Sequence, residues 1–318
     1  MHHFVNSFPI ERKMRMAIGD SSNMEGNHFV KKYRIAILGS GNIGTDLLIK
    51  TLRSPYLECV AFIGRSQSSP GMLKARSLGV ACSDRSINYF DENNNDIDLV
   101  FDATSAKDHF LHAPILRAKG IRAIDLTPAK VGLMCVPAVN IKDCLCEMNV
   151  NMVTCGGQAS IPIANAIGKT HDNIDYIEVV SSIASKSAGP ATRLNLDEYI
   201  GTTEKGLIAF SGARRAKAIL NLNPAIPCID MQTTVFAKVA DPDISSLVAA
   251  LEPMIDRIRQ YVPGYELIVG PLVENNRIVV MVRVRGLGDY LPEYAGNLDI
   301  INCAAIEMAE RFAHEESQ

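Results

Sequence analysis

Cys155 closes an apolar run and opens a pair of glycines, in Val150-Asn151-Met152-Val153-Thr154-Cys155-Gly156-Gly157-Gln158. The pattern reads as a strand that turns sharply into an amphipathic helix, with the thiol at the turn. Backbone N–H groups at a helix start point outward and carry partial positive charge. They lower a thiol pKa and so favour the thiolate, which is the nucleophile. The glycines admit a substrate close to the backbone. One turn can therefore hold a nucleophile together with N–H donors for an oxyanion. Packing is the competing explanation, because free cysteine is among the most buried residue types. The surrounding elements have to decide between the two.

A second motif supplies a partner for that thiol. Arg34-Ile35-Ala36-Ile37-Leu38 is a short buried-strand pattern, and Gly39-Ser40-Gly41-Asn42-Ile43-Gly44 follows it directly. Thr45 to Leu52 then has helical spacing. GxGxxG between a strand and a helix is a dinucleotide-binding pattern. The first glycine makes the turn, the second admits the pyrophosphate, and the third lets helix pack on strand. The next strand, Glu58 to Ile63, ends at Gly64-Arg65-Ser66. NAD-selective proteins usually place a carboxylate near this tip; Arg65 can instead receive a 2′-phosphate, so the tip leaves NAD and NADP both open.

Further strand–helix units fill the first half. Ile97 to Asp102 and Ile121 to Leu126 read as strands, and Phe110 to Lys119 as a helix closed by Gly120. This alternation implies an α/β, Rossmann-type parallel sheet with helices on both faces. Ligands gather at the carboxyl ends of such strands. Cys155 follows a strand too, so its thiol is expected at the same edge as the Gly39 turn. From Ile174 the texture changes. Strands are expected at Tyr176–Ile183, Val235–Val239 and Ile278–Val284, and helices at Asp197–Phe210, Ile244–Tyr261 and Ile301–Ala313. Grouped strands without strict alternation imply a second, α+β domain with a mixed or antiparallel sheet, suited to self-association. Two loops stand out there. Ser185-Lys186-Ser187-Ala188-Gly189-Pro190-Ala191-Thr192-Arg193 is small, polar and basic, and shaped to approach a ligand. Tyr290 to Asp299 leads into the last helix, which is expected to pack back on the first half.

Bulk properties bound the alternatives. The chain has 318 residues, 47% hydrophobic and 21% charged, with a formal net charge of −3. That balance gives no electrostatic case for nucleic acid or an anionic membrane. No apolar run approaches the roughly 18 residues of a membrane span. The eight cysteines are spread along the chain, and residues 1–31 lack the apolar centre of an export signal, so a reducing cytoplasm is the expected setting. Those first residues read as a disordered extension. No metal site is expected. Cys144-Leu145-Cys146 has no partner pair, and His109 and His112 share a helix face without a third ligand, so they read as a solvated or packed pair.

Together these segments resemble the acylating acetaldehyde dehydrogenases of aromatic-compound meta-cleavage pathways. The resemblance runs from about Lys32 to the C-terminus. It is carried by the Gly39–Asp46 turn, Phe101-Asp102-Ala103-Thr104-Ser105, Ile124-Asp125-Leu126-Thr127-Pro128, Asn149 to Gln158, Ser185 to Pro190, Tyr261-Val262-Pro263-Gly264-Tyr265 and Leu291 to Ile300. It implies conversion of a short aldehyde, acetaldehyde or propanal, with NAD and coenzyme A into acyl-CoA and NADH. It implies Cys155 as nucleophile. It places Ser40, Gly41, Asn42, Ile43, Gly44, the Ser185–Arg193 loop and Asn297 on the dinucleotide. It also implies a homo-oligomer and a 4-hydroxy-2-oxoacid aldolase partner that hands over the aldehyde. The domains expected are the extension 1–31, a dinucleotide-binding domain of 32–154 plus helix 298–316, and a catalytic and dimerisation domain of 155–297. Three departures are visible. Thr233 stands where the family usually has an Asp that assists the cysteine, leaving activation to the turn's own N–H groups. Arg65-Ser66 replaces a frequent Ile-Asp, and Leu267–Gly288 is shorter. Two other readings remain: a semialdehyde or acyl-phosphate reductase of the same fold, or a non-catalytic dinucleotide-binding subunit.

Overall fold

The computed structural model describes residues 32–92 and 96–317, so the extension expected over residues 1–31 lies outside the described residues. Seven strands form the first sheet. They are β1 (Tyr33–Leu38), β2 (Leu57–Ile63), β3 (Cys82–Ser83), β4 (Leu99–Asp102), β5 (Arg122–Asp125), β6 (Leu133–Met134) and β7 (Asn149–Asn151), in the order β3-β2-β1-β4-β5-β7-β6. Every pair is parallel. The intervening helices are α1 (Asn42–Arg53), α2 (Pro70–Ser77), α3 (Tyr89–Glu92), α4 (Ala106–Ala118) and α5 (Pro137–Asn140), followed by α6 (Cys155–Thr170). The expected parallel sheet is present. Its central strands are buried on both faces, as their unbroken apolar composition requires.

The second sheet is mixed, again as expected. It comprises β8 (Tyr176–Ala184), β9 (Ala216–Asn223), β10 (Met231–Lys238), β11 (Tyr265–Glu274) and β12 (Arg277–Val284), in the order β11-β12-β10-β8-β9. Only β8 and β9 run parallel; the other neighbours are antiparallel. Burial alternates along β8 and β10, so one face of the sheet is packed. Helices α7 (Pro190–Leu194), α8 (Leu196–Ser211), α9 (Ile244–Tyr261) and α10 (Gly296–Glu316) complete the chain. Among the described residues no helix is long and apolar enough to cross a membrane.

Helices α1 and α4 begin three and four residues earlier than expected, and two others depart in ways that bear on the site. α6 is not amphipathic: every residue from Cys155 to Ile167 is buried. It is enclosed by α8, α9, α10 and β10, so no face meets water. α10 begins at Gly296, five residues before the expected Ile301, because its first turn carries Asn297 and Asp299, whose polarity hides a buried turn. The last helix packs back as anticipated. Ile301, Ala304, Ala305, Met308, Ala309 and Phe312 share one core with Ile35, Ile37 and Phe101 of the first sheet. A buried ion cluster fastens its start. Lys50 Nζ of α1 lies 2.7 Å from Asp299, 2.8 Å from Asp289 and 3.4 Å from Asp46.

Candidate active site

The turn between β1 and α1 has the shape a dinucleotide needs. Gly39 adopts φ +120°, and a Cβ there would stand 2.5 Å from the Ala103 carbonyl oxygen. A Cβ on Gly44 would stand 1.8 Å from the Gly39 oxygen. At Gly41 a Cβ would meet nothing within 4 Å. Two glycines thus allow close packing, and the middle one leaves open space above the turn. Gly41 caps α1 without a side-chain hydrogen bond, so the first N–H groups of the helix face that space. Since Gly41 has φ −81°, any residue tolerates its backbone. Gly41→Val should therefore leave the melting temperature unchanged while weakening dinucleotide binding at least about tenfold, roughly 1.4 kcal/mol. Calorimetric titration decides, and an undiminished affinity would contradict the assignment.

A cleft at the carboxyl edge of the first sheet brings Ile43, Cys155, Thr192 and Asn297 together. Its walls come from three strand ends: Ala103, Thr104 and Ser105 after β4, Leu126, Thr127 and Pro128 after β5, and Val153 and Thr154 after β7. Tyr199 and Asn195 close it from the α8 side. Asn297 is buried and its Oδ1 has no hydrogen-bond partner. Such an orphaned acceptor at the cleft wall suits an amide N–H of a ligand.

Cys155 sits on a strained elbow. Val153, a β-branched residue, adopts φ +61°, a conformation that persists only where its surroundings impose it. Asn151 imposes it. Its Oδ1 accepts from Val153 N–H at 2.9 Å, while its Nδ2 donates to Asp125 at 2.7 Å and to the Thr127 carbonyl at 2.8 Å. Thr154 then caps α6 by accepting from Gly157 N–H at 2.9 Å. The thiol therefore stands at the first helical position, as expected. Its environment differs from expectation in two respects. Burial pushes the Cys155 thiol above its ordinary value, against the opposing hydrogen bonds of Tyr199 and of the Gly156 and Cys155 N–H groups. And the Gly156 and Gly157 N–H groups are not free for an oxyanion, since they donate to Tyr199 Oη at 3.0 Å and to Thr154.

Asp102 and Asp125 lie side by side at the ends of β4 and β5, with Asn151 next in register. His109 and His112 are packed rather than solvated. Both place Nδ1 on Asp102 Oδ2, at 2.9 Å and 2.8 Å. Burial acts to raise Asp102, but the two imidazoles outweigh it and hold the carboxyl down at about 2. Burial likewise opposes the charge on His109, and the Asp102 hydrogen bond and the Asp125 carboxylate carry it above its ordinary value. Asp125, fully buried, is raised to about 6. Asp102 also accepts from Thr104 N–H at 3.1 Å, and Asp125 from Thr127 N–H at 2.7 Å. One polar network thus holds all three loops that wall the cleft.

The remaining sequence candidates lie elsewhere. Ser40 is half-buried, its Oγ 3.0 Å from Ser69 Oγ. Arg65 is exposed at the tip after β2. Ser185, Lys186 and Ser187 form a single tight helical turn, and Pro190 opens α7, so the supposed loop is largely helical. The Arg193 guanidinium is turned inward, donating to the Ser185 and Ala188 carbonyls at 3.1 Å each. It fastens the loop. Thr233 is buried with Oγ1 3.0 Å from Ser181 Oγ, a hydroxyl that itself borders Gly156, and Asp230, the residue just ahead of β10, pairs with Arg285 at 3.2 Å. Sequence reasoning missed Tyr199 altogether. It noted Thr104 and Thr127 as strand ends without placing them in the site.

Comparison with known proteins decides the family. Residues 155–292 match the model described as prokaryotic acetaldehyde dehydrogenase, dimerisation, and residues 34–144 match semialdehyde dehydrogenase, NAD binding domain. An acetaldehyde dehydrogenase of Spirochaeta aurantia is 69% identical over 90% of this chain and 97% of its own length. One from Pectobacterium atrosepticum is 58% identical over 88% and 95%. The chain belongs to the acetaldehyde dehydrogenase family. It is an enzyme of that type, with an NAD(P)-binding first domain. The fold is shared more widely. An aspartate semialdehyde dehydrogenase with NADP from Candida albicans superposes with a TM-score of 0.64 at 13% identity, over 91% of this chain and all of that one. One from Vibrio cholerae gives 0.60 at 13% identity, over 90% and 99%. Within the acetaldehyde dehydrogenase family, the buried α6 and the mixed sheet lie inside the matched dimerisation segment.

Proposed function

We propose that this chain oxidises a short aldehyde, acetaldehyde or propanal, to the acyl-CoA, with NAD(P) as hydride acceptor and coenzyme A as acyl acceptor, through a thioester on Cys155. The observation that carries the reading is the thiol at the start of α6, facing a cleft shared with Ile43 of the glycine turn and with Asn297. The open space at Gly41 and the orphaned Asn297 Oδ1 fit a dinucleotide. The residues to hold it are Ser40 to Gly44, Arg65, Ser185 to Arg193 and Asn297, with Arg193 acting through its own loop. When bound, the dinucleotide supplies the acceptor for the aldehydic hydride. Cys155 Sγ attacks the carbonyl carbon, a C–S bond forms, and the π pair moves to oxygen. As the oxygen pair returns to the carbon, the aldehydic hydride leaves, and the tetrahedral adduct becomes an acyl thioester between the strand-end loops. A coenzyme A thiolate then attacks the acyl carbon, and the Cys155 thiolate departs.

The domain reading follows. Residues 32–154 with helix 298–316 hold the dinucleotide; residues 155–297 carry the nucleophile and associate with a second copy. The family's dimerisation segment supports a homo-oligomer. A 4-hydroxy-2-oxoacid aldolase as source of the aldehyde, and a cytoplasmic setting, belong to the same proposal. The test is to trap the thioester. Aldehyde and NAD or NADP, without coenzyme A, should leave one acyl group on the Cys155 peptide, seen by mass spectrometry, and added coenzyme A should release it as acyl-CoA. Turnover without an adduct on that peptide would overturn the mechanism. A preference for NAD would exclude Arg65 as a 2′-phosphate ligand.

A further inference from the structure

The acid expected to assist Cys155 is absent, yet the thiol is not without a partner. Tyr199 Oη of α8 lies 3.6 Å from Sγ. The hydroxyl also accepts from Gly156 N–H at 3.0 Å. Around it the protons of two neighbouring threonines can be followed, one of which, Thr154, also lies within hydrogen-bonding reach of the phenol. Thr203 Oγ1 donates to the Tyr199 carbonyl at 2.8 Å, and that oxygen can only accept. The Thr154–Thr203 contact of 2.7 Å must then be a donation by Thr154, whose oxygen already accepts from Gly157 N–H. The protons of both threonines are thus committed, and Gly156 N–H is a donor. In the thiol form Sγ donates to Tyr199 Oη; once the sulfur is ionised, it becomes the charged acceptor beside the Tyr199 proton.

The backbone is shaped around this contact. A Cβ on Gly156 would stand 2.2 Å from Tyr199 Oη and 3.1 Å from Ser181 Oγ. The second residue of the helix has to be glycine for the phenol to reach the sulfur. No carboxylate, imidazole or ammonium among the described residues acts on Cys155. Three acids of the neighbouring elements are paired elsewhere: Asp102 with His109 and His112, Asp299 with Lys50, and Asp230 with Arg285. Burial keeps the phenol far above its ordinary pKa, hence a neutral donor.

We infer that Tyr199 is a catalytic residue that holds the Cys155 thiolate by donating its hydroxyl proton to Sγ, taking the place of the missing acid. The inference rests on Cys155 being the nucleophile. On ionisation the thiol proton leaves to water, the electron pair stays on sulfur, and the Tyr199 O–H turns from acceptor of S–H to donor to S⁻. A charge-assisted hydrogen bond of this kind favours the ionised form. It also fixes the direction of the lone pair that attacks the aldehyde.

Alkylation tests this without aldehyde or dinucleotide, so it stands apart from the thioester trap. The rate at which iodoacetamide modifies Cys155, followed on its peptide across pH, gives the thiolate midpoint in the full chain. Tyr199→Phe should slow alkylation near neutral pH by about tenfold, the size of about one unit in the midpoint. Placing 3-fluorotyrosine at position 199 keeps the packing and makes the phenol a stronger donor, so the midpoint should fall. A filler role for Tyr199 would not follow phenol acidity. An unmoved midpoint in folded Tyr199→Phe would overturn the inference. If that variant fails to fold, the fluorotyrosine protein decides alone: a lowered midpoint supports it and an unmoved one overturns it.

Discussion

Cys155→Ala is expected to lower aldehyde-dependent reduction of the dinucleotide by about 10⁴-fold or more, while dinucleotide affinity stays unchanged. The two outcomes separate because the structure separates their causes. Pyrophosphate binding is argued from the Gly39–Gly44 turn and the start of α1, where the thiol plays no part. The thiol itself is not a structural keystone. The cap of α6 is Thr154, and the elbow is held by Asn151, so alanine leaves both in place. Sγ has a single side-chain partner, Tyr199, and removing sulfur leaves that hydroxyl still accepting from Gly156. Steady-state rates and a binding titration on the same preparation measure both. A variant retaining even a tenth of the rate would rule out the covalent route.

Lys50→Met should destabilise the protein by about 3–5 kcal/mol near neutral pH, because it strands the buried carboxylates of Asp46 and Asp299. Burial opposes the Lys50 charge, but Cys303, Asp299 and Asp46 and the Asp289 hydrogen bond outweigh it and hold the ammonium above its ordinary value. A raised lysine stabilises fully below its ordinary pKa, and that contribution is lost only as pH climbs through the folded value. Asp289 is the opposite case. Burial acts to raise it, but the Lys50 and Arg53 hydrogen bonds prevail and hold it low. Its contribution is present above the ordinary carboxylate range and is lost as pH falls through the folded value. The gap between variant and wild type should therefore be widest near neutrality and shrink in acid, as Asp289 and Asp299 take up protons. Urea unfolding at several pH values measures it; a gap that widens on acidification would refute the account. Since Asp299 lies in the turn that carries Asn297, the variant should also weaken dinucleotide binding.

Local pattern carried much of this structure. The glycine turn was legible because three glycines at fixed spacing between a strand and a helix form a local pattern, even though the neighbour that crowds Gly39 is the distant Ala103. α9 was legible over Ile244–Tyr261 because one of its faces meets water and the period survives. α6 misled for the opposite reason: enclosed on every side, it offers no polar stripe to read. The His109–His112 pair was visible as a helix face, but Asp102 and Asn149 come from strand ends, and only the parallel register brings them there. Tyr199 gave no signal. Its position within a helix says nothing of what it touches until α8 closes on α6. Arg193 was expected on the dinucleotide through the family resemblance of its loop; nothing in the local pattern showed that its guanidinium satisfies carbonyls of that loop.

α10 has a consequence for how the chain is made. The core of the first sheet joins Phe312 and Met308 to Ile35 and Ile37, residues that lie on the far side of the whole mixed sheet in the sequence. On the ribosome the glycine turn and its strands emerge before the mixed sheet and lack one wall until α10 follows. The mixed sheet, whose strands span residues 176–284, is complete before that wall arrives. Closure over such a sequence separation is slow. The half of the protein that is read first is therefore the half that matures last.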